Sequence, residues 1–158
     1  MSALSEPVAT ADREISINRL IDAPPERVFA AWVNPQAIGQ WWGPQGVTTT
    51  THEMDVRPGG TWRYTMHGAD GVDYPNLIVY NEVVQPERLV YTHGSGEQDD
   101  PGQFNTTVTF EDEGGKTRLT MRSLFASAEA RDYVVKEFGA LEGGNSTLDR
   151  LEVYLATR

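Results

Sequence analysis

The segment from Ser127 to Ala156 reads SAEARDYVVKEFGALEGGNSTLDRLEVYLA. Its large apolar residues recur at intervals of three and four, the spacing that places side chains on one face of an α-helix. Ser127 suits the N-cap, because a serine hydroxyl can accept a hydrogen bond from a free amide of the first turn. The pattern predicts a long C-terminal helical region, with an apolar stripe formed by Val134, Phe138, Leu141, Leu148, Leu151 and Leu155.

The apolar stripe is interrupted near residue 145, where Gly144 and Asn145 stand in place of a large apolar residue. Together with Gly139 and Gly143, this predicts a kink or a division into two helices, since each glycine costs about 1 kcal/mol relative to alanine. Because protein interiors are densely packed, the gap predicts a space filled by a ligand, by water or by a large aromatic side chain of the sheet. Asn145 must then bond a neighbouring polar group or face a polar ligand atom or water.

The part of the chain that precedes this segment reads as strands separated by turns. Residues 14–21, 104–111 and 117–125 alternate between apolar and polar side chains, as half-buried strands do. Short links such as Pro58-Gly59-Gly60 connect the strands, which predicts an antiparallel meander. Pro25 and the stripe of Val28, Phe29 and Trp32 predict a short helix after the first strand, followed by a brief helical turn.

Length and charge limit the classes of function. The 158 residues suit one domain, and we expect a tail over residues 1–13 and a single domain over residues 14–158. The formal charge of −10 argues against nucleic acid as a partner, because phosphates would be repelled. The absence of cysteine excludes disulfides and thiolate chemistry. The longest apolar run, residues 28–33, is too short to insert into a membrane, and no secretory signal is recognisable, so a cytoplasmic location is expected.

Five motifs in order resemble one known family, the activator of the ninety-kilodalton heat-shock protein's ATPase in its small bacterial form. The resemblance covers residues 15–155 and rests on Asp22-Ala23-Pro24-Pro25-Glu26-Arg27-Val28-Phe29, Trp41-Trp42-Gly43-Pro44, Asp55-Val56-Arg57-Pro58-Gly59-Gly60-Thr61-Trp62, Pro86-Glu87-Arg88-Leu89, and Glu142-Gly143-Gly144 with Thr147-Leu148-Asp149-Arg150-Leu151. It implies the α+β helix-grip fold of the START-like, birch-allergen-like (SRPBCC) superfamily. In that fold a curved antiparallel sheet wraps around a long C-terminal helix and leaves a cavity between them.

A small-molecule site in this cavity is the leading functional hypothesis, with a largely apolar or amphipathic ligand. Such sites are mostly apolar with a few placed polar groups. Because Trp41 and Trp42 are adjacent, we expect one to anchor the core and the other to lie at a pocket mouth or on a partner surface. The residues predicted to bind the ligand are Trp42, Trp62, Tyr64, Met66, Tyr80, Tyr91, His93, Phe104, Phe138, Leu141, Gly144 and Asn145.

Two other functions remain open on the sequence. One is a cyclase- or hydrolase-type enzyme, in which His93, Tyr80, Tyr91 or Asn145 polarises a bound carbonyl. The other is a protein-interaction module, although a chaperone partner is not favoured, because the chain has no counterpart of the additional N-terminal domain with which two-domain co-chaperones dock. No cofactor and no metal are expected, since the histidines lack a metal-binding spacing. A homodimer is left open.

Overall fold

The computed structural model describes residues 13–94, 103–138 and 140–157, without the side chains of residues 137–141. The expected tail, residues 1–13, therefore lies almost wholly outside the described residues. The strands are β1 (Glu14–Ile21), β2 (Thr48–Met54), β3 (Thr61–His67), β4 (Asp73–Val84), β5 (Arg88–Gly94), β6 (Phe104–Glu113) and β7 (Lys116–Phe125). The helices are α1 (Pro25–Val33), α2 (Pro35–Ile38), α3 (Ala128–Phe138) and α4 (Ala140–Ala156).

The seven strands form one open, curved antiparallel sheet in the order β1-β7-β6-β5-β4-β3-β2. Strands β2 to β7 are a meander, and β1 joins it by pairing with the last strand, so that Ile17 lies opposite Met121. Helices α1 and α2 occupy the connection between β1 and β2, and the C-terminal helices follow β7. The predicted helix-grip fold is confirmed. No helix among the described residues is both long and apolar enough to cross a membrane.

One face of the sheet, which we call the inner face, carries the core. Residues directly opposite each other in an antiparallel pair point to the same face, and the buried aromatic residues of β3, β4 and β5 all lie on it. Helix α1 adds Phe29 and Trp32 to this core, and α4 adds Leu148, Leu151 and Leu155. Burying each of these side chains fully contributes roughly 1.5–3 kcal/mol, so the inner face holds the fold together.

The expectation that only one of Trp41 and Trp42 faces the interior is wrong. Both are buried, with 0% and 6% of their surface exposed. They follow helix α2 in a turn, where successive side chains need not point in opposite directions as they do in a strand. The Trp41 indole donates to the Ala31 carbonyl at 3.1 Å, while the Trp42 ring packs edge-on against Trp62 with centroids 5.2 Å apart.

The C-terminal region consists of two helices, α3 and α4, on either side of residue 139. The Ser127 hydroxyl accepts from the Ala130 amide at 3.1 Å, as the sequence predicted for a cap. Gly143 and Gly144 lie inside α4. Of the alternatives for the gap at Gly144, a side chain from the sheet is the one observed, because a Cβ atom built there would stand 2.6 Å from Cδ1 of Ile17. The space is filled from β1, and by an aliphatic side chain.

We expect Gly143→Ala to raise the free energy of unfolding by about 1 kcal/mol, through the higher helix propensity of alanine. A Cβ atom at Gly143 meets no atom within 4 Å. The same change at Gly144 gains the same propensity but displaces the Cδ1 end of Ile17, so we expect it to stabilise the protein less than Gly143→Ala does. Urea unfolding of the two variants measures the difference. Equal stabilisation would show that Ile17 does not pack against Gly144.

Candidate functional site

Three buried tyrosines from three neighbouring strands meet on the inner face. Tyr64, Tyr80 and Tyr91, here called the tyrosine cluster, lie on β3, β4 and β5 and expose 0%, 2% and 1% of their surface. Tyr80 lies directly opposite Tyr91 in the register, and their rings are 6.4 Å apart in an edge-on arrangement. The meander places these phenols together because adjacent strands are paired and each tyrosine occupies a strand position whose side chain points to the inner face.

Burial raises the pKa of each of the three phenols. For Tyr64 burial is the largest cause, opposed by the Trp42 indole, with smaller raising effects from Tyr91 and Tyr80. Burial also raises the pKa of Tyr80, and burial followed by Tyr80 raises that of Tyr91. The rings of Tyr64 and Tyr91 both lie against the His93 ring, with centroids 6.1 and 6.5 Å from it. Since tyrosine ordinarily titrates near pH 10, all three hydroxyls stay neutral at physiological pH.

A chain of hydrogen bonds links the tyrosine cluster to His93 and Asn76. His93 Nε2 lies 2.8 Å from the Tyr64 hydroxyl and 3.2 Å from Oδ1 of Asn76. The Asn76 amide is oriented by its own Nδ2, which donates to the Tyr74 carbonyl at 2.9 Å. Its oxygen therefore faces Nε2 of His93, and the tautomer of the imidazole sets which of the two contacts Nε2 donates.

The Tyr91 hydroxyl is buried and has no hydrogen-bond partner among the described residues. The Thr106 hydroxyl, opposite Tyr91 on β6, approaches this phenol and lowers its pKa as a weak hydrogen bond would. It does not reach hydrogen-bond geometry with that phenol, and it bonds Ser123 at 2.9 Å. An unpaired buried hydroxyl costs about 1–3 kcal/mol, so this group calls for a partner that the described chain does not supply.

Aromatic rings continue from the tyrosine cluster in two directions. Trp62 stacks on Tyr64 with ring centroids 4.0 Å apart. In the other direction the His93 ring lies 4.9 Å from Phe104, which in turn lies 4.6 Å from Phe125. The result is a mostly apolar cluster of side chains with hydroxyl, imidazole and amide groups in the middle, the composition typical of a small-molecule site.

Asn145, the polar residue of the predicted gap, bonds a neighbouring side chain. Its Oδ1 accepts from Nη2 of Arg19 at 3.0 Å, and the same guanidinium reaches Asp149 at 2.6 Å and Glu152 at 3.0 Å. Arg19 lies on the inner face of β1, opposite Leu119. These contacts join α4 to the edge strand β1. The two carboxylates of α4 neutralise the charge of Arg19.

The predicted ligand-binding residues fall into three groups. Trp42, Trp62, Tyr64, Tyr80, Tyr91, His93 and Phe104 are joined by the ring contacts described above, and half-buried Met66 packs against the same core. Gly144 and Asn145 lie at the β1 side of α4. The side chains of Phe138 and Leu141 lie outside the described residues. A role of any of them in ligand binding stays a prediction.

Sequence reasoning missed three contributors to this surface: Asn76, Thr106 and Phe125. Asn76 was recoverable, because it has the parity of Ile78 and Tyr80 on β4. Thr106 and Phe125 also belong to alternations that the sequence displays, but nothing in the sequence alone places them beside Tyr91 and His93. Two surface depressions, of about 540 and 460 Å³, include none of the predicted residues and lie around Gln85 and Glu87.

Comparison with known proteins gives a consistent result. The model of the family described as Activator of Hsp90 ATPase homolog 1-like protein matches residues 22–156. A crystal structure of a Mycobacterium smegmatis protein is 28% identical, covers 92% of both chains and has a TM-score of 0.83. An Arthrobacter aurescens protein solved by NMR is 27% identical, with 94% and 89% of the chains covered and a TM-score of 0.86. No protein with a curated description matches the chain.

Proposed function

The chain belongs to the family of Activator of Hsp90 ATPase homolog 1-like proteins, and from this membership and the inner-face geometry we propose that it binds a small molecule. The ligand has a largely apolar body and lies between the sheet and the C-terminal helices, against the tyrosine cluster. The observation that carries this proposal is the Tyr91 hydroxyl, which is buried and unpaired among the described residues.

The unpaired Tyr91 hydroxyl destabilises the free protein. Burying it without a partner costs about 1–3 kcal/mol, and a phenylalanine at the same position would avoid the cost. A ligand atom that bonds the hydroxyl recovers this free energy on binding. The same atom would lie beside His93, which is two residues from Tyr91 on the same face of β5. The stacked Trp62 and Tyr64 rings and the Phe104 ring supply apolar contact area for the rest of the molecule.

Native mass spectrometry of the purified protein tests the proposal directly. We expect a native mass that exceeds the denatured mass by that of a discrete small molecule, or that shifts by one equivalent when an aromatic probe such as 2-acetylnaphthalene is added. The probe should protect backbone amides of β3, β4 and β5 from hydrogen exchange. Protection confined to other strands would contradict the proposed position of the site.

Tyr91→Phe separates a binding group from a structural one. We expect the variant to be about 1 kcal/mol more stable than the wild type, because it removes an unpaired buried hydroxyl. We also expect it to bind 2-acetylnaphthalene more weakly. Stability is measured by urea unfolding and affinity by ligand-observed NMR.

The matched control is Tyr74→Phe, which removes an exposed hydroxyl that donates to Asp70 at 3.1 Å. That change should alter neither stability nor affinity by a measurable amount. A loss of stability in Tyr91→Phe would show that the hydroxyl has a structural partner, and the main support for the proposal would be gone.

A further inference from the structure

The outer face of the sheet, on the side away from the inner face, carries a second group of chemically reactive side chains. There a threonine hydroxyl, an imidazole and a carboxylate from three neighbouring strands form one line of hydrogen bonds. We propose that Thr50, His67 and Asp73, here called the outer triad, form a site at which Thr50 takes an acyl group from an activated ester or thioester. This site is separate from the proposed small-molecule site and does not depend on it.

The pairing of the strands brings the outer triad together. Since Tyr64 points to the inner face, His67, three residues further along β3, points to the outer face. His67 lies directly opposite Asp73 of β4 in the register. Thr50 of β2 lies diagonally across from His67, because its direct partner is Thr65, and long side chains reach across such diagonals. Thr50 and Asp73 are exposed, and so is 38% of the His67 side chain, so a substrate can reach all three.

The hydrogen bonds of the outer triad fix the tautomer of its neutral imidazole. Nδ1 of His67 lies 2.8 Å from Oδ1 of Asp73. An exposed carboxylate is ionised at neutral pH and can only accept, so Nδ1 carries the ring hydrogen and donates it. A neutral imidazole has one N–H, which leaves a free lone pair on Nε2. Nε2 lies 2.7 Å from Oγ1 of Thr50, so it accepts the hydroxyl hydrogen.

This arrangement activates the Thr50 hydroxyl as a nucleophile. A base that accepts the hydroxyl hydrogen, and that is itself oriented by a carboxylate, is the arrangement that serves nucleophilic acyl transfer. When Oγ1 of Thr50 attacks the acyl carbon, its proton passes to Nε2 of His67. The bond from the acyl carbon to the leaving oxygen or sulfur breaks, and the leaving group takes that proton. The products are an ester at Thr50 and a free alcohol or thiol. Asp73 acts through the imidazole and is a positioning residue.

The exposure of the outer triad limits the class of acyl donor. Water surrounds the site, since 65% of the Asp73 side chain is exposed. In such surroundings charges and hydrogen bonds stabilise a transition state less than they do in a closed site. The leaving group must therefore be a good one before it binds. An activated ester or a thioester meets this condition, and an amide does not.

The same face of the sheet holds a matched control pair. Nε2 of His52 lies 2.8 Å from Oγ1 of Thr65, so this pair repeats the contact between His67 and Thr50. No carboxylate in the part of the chain that the structure describes pairs with the His52 ring. The tautomer of His52 is then not held by a carboxylate, and we expect Thr65 to react more slowly than Thr50.

Acetylation of the full-length protein by p-nitrophenyl acetate tests the proposal, at about pH 8, where an ordinary imidazole is neutral. We expect one acetyl group to accumulate on Thr50. Peptide mapping locates it, and hydroxylamine distinguishes this ester from lysine amides. The rate at Thr50 should fall at least about 10-fold in His67→Gln and stay unchanged in His52→Gln. Thr50→Ser should still be acetylated at this position, and Thr50→Val should not. Circular dichroism shows that each variant is folded.

Asp73→Asn tests the positioning role, because nitrogen NMR of the imidazole reports which ring nitrogen carries the hydrogen. In the wild type we expect the Nδ1–H form of His67. In Asp73→Asn we expect a shift towards the Nε2–H form, together with slower acetylation of Thr50. An unchanged tautomer in Asp73→Asn would contradict the positioning role. The Nε2–H form in the wild type, or equal acetylation of Thr50 in His67→Gln, would overturn the proposal.

Discussion

Arg150→Met is expected to lower the free energy of unfolding by about 2–3 kcal/mol. In the described structure the Arg150 guanidinium donates to backbone carbonyls alone: Nη1 reaches Gly43 at 2.8 Å and Val47 at 2.9 Å, with longer contacts to Trp42 and Pro44, and Nη2 reaches Gln40. One side chain of α4 thus donates hydrogen bonds to the backbone carbonyls of the turn that leads from α2 to β2. Methionine fills much of the same volume but supplies no donor, so these carbonyls lose their partner.

The matched control is Arg63→Met, which removes the same charge from an exposed position. Arg63 pairs with Glu53 at 3.4 Å, and an exposed ion pair contributes less than about 1 kcal/mol. Urea unfolding of both variants measures the contrast. Equal destabilisation would assign the effect to the net charge of the protein and not to the carbonyls.

Arg150→Met should also weaken binding of the aromatic probe. The Trp42 carbonyl is one of those that Arg150 contacts, and the Trp42 ring packs on Trp62 and acts on the Tyr64 hydroxyl. Loosening this turn would let Trp42 move away from the tyrosine cluster. We expect Arg150→Met to bind 2-acetylnaphthalene with several-fold lower affinity than the wild type. Arg150→Lys should lose part of that affinity, because an ammonium lacks the planar fork of a guanidinium.

The strands and their faces could be predicted because alternation is a local property. Since every second residue of a strand shares a face, alternation puts Trp62 and Tyr64 on one face, His67 on the other, and His93 with Tyr91, and the structure has them so. The order of the strands followed from short links, apart from the pairing of β1 with β7. That pairing joins residues about a hundred positions apart, so no short link between strands could predict it.

The content of the interior could not be predicted in the same way. A missing side chain at Gly144 indicates space only if no other residue enters it, and Ile17 enters from a strand far away in sequence. The carbonyl contacts of Arg150 are equally non-local, and an arginine on a helix gives no sign of them. By contrast, alternation along the strands indicates that Asn76 and Thr106 point to the inner face, as Tyr91 does. Parity therefore finds candidate site residues more reliably than gaps do.

The turn before β3 holds Trp62 and Tyr64 of that strand in place against β4. A substitution in this turn is expected to lower the free energy of unfolding more than any other change proposed here. Gly59 donates to the Tyr80 carbonyl at 2.7 Å, and the Tyr80 amide donates to Gly60 at 2.9 Å. These bonds fix the start of β3, with Trp62 and Tyr64, against the middle of β4. The turn itself closes through the Gly60 amide, which donates to the Arg57 carbonyl at 2.7 Å.

Gly60→Ala is expected to cost about 4 kcal/mol and to leave little folded protein at elevated temperature. A Cβ atom at Gly60 would stand 2.0 Å from the Asp55 carbonyl oxygen and 3.0 Å from that of Arg57. Both obstacles are backbone, so no side-chain rotation relieves the collision, and the turn must open and release Tyr80. Thermal unfolding followed by circular dichroism measures the loss.

Gly59→Ala and Gly71→Ala distinguish this collision from ordinary glycine strain. At both positions a Cβ atom meets nothing within 4 Å, but φ is +84° and +85°, so each substitution costs about 1–2 kcal/mol of conformational energy. The order of stability should be wild type, then these two variants together, then Gly60→Ala. If Gly60→Ala proved as stable as Gly59→Ala, the close approach of Asp55 would not exist in solution. The bonds to Tyr80 would then not depend on a glycine at position 60, and the register that brings Tyr64 and Tyr80 together would have to be fixed by the strands alone.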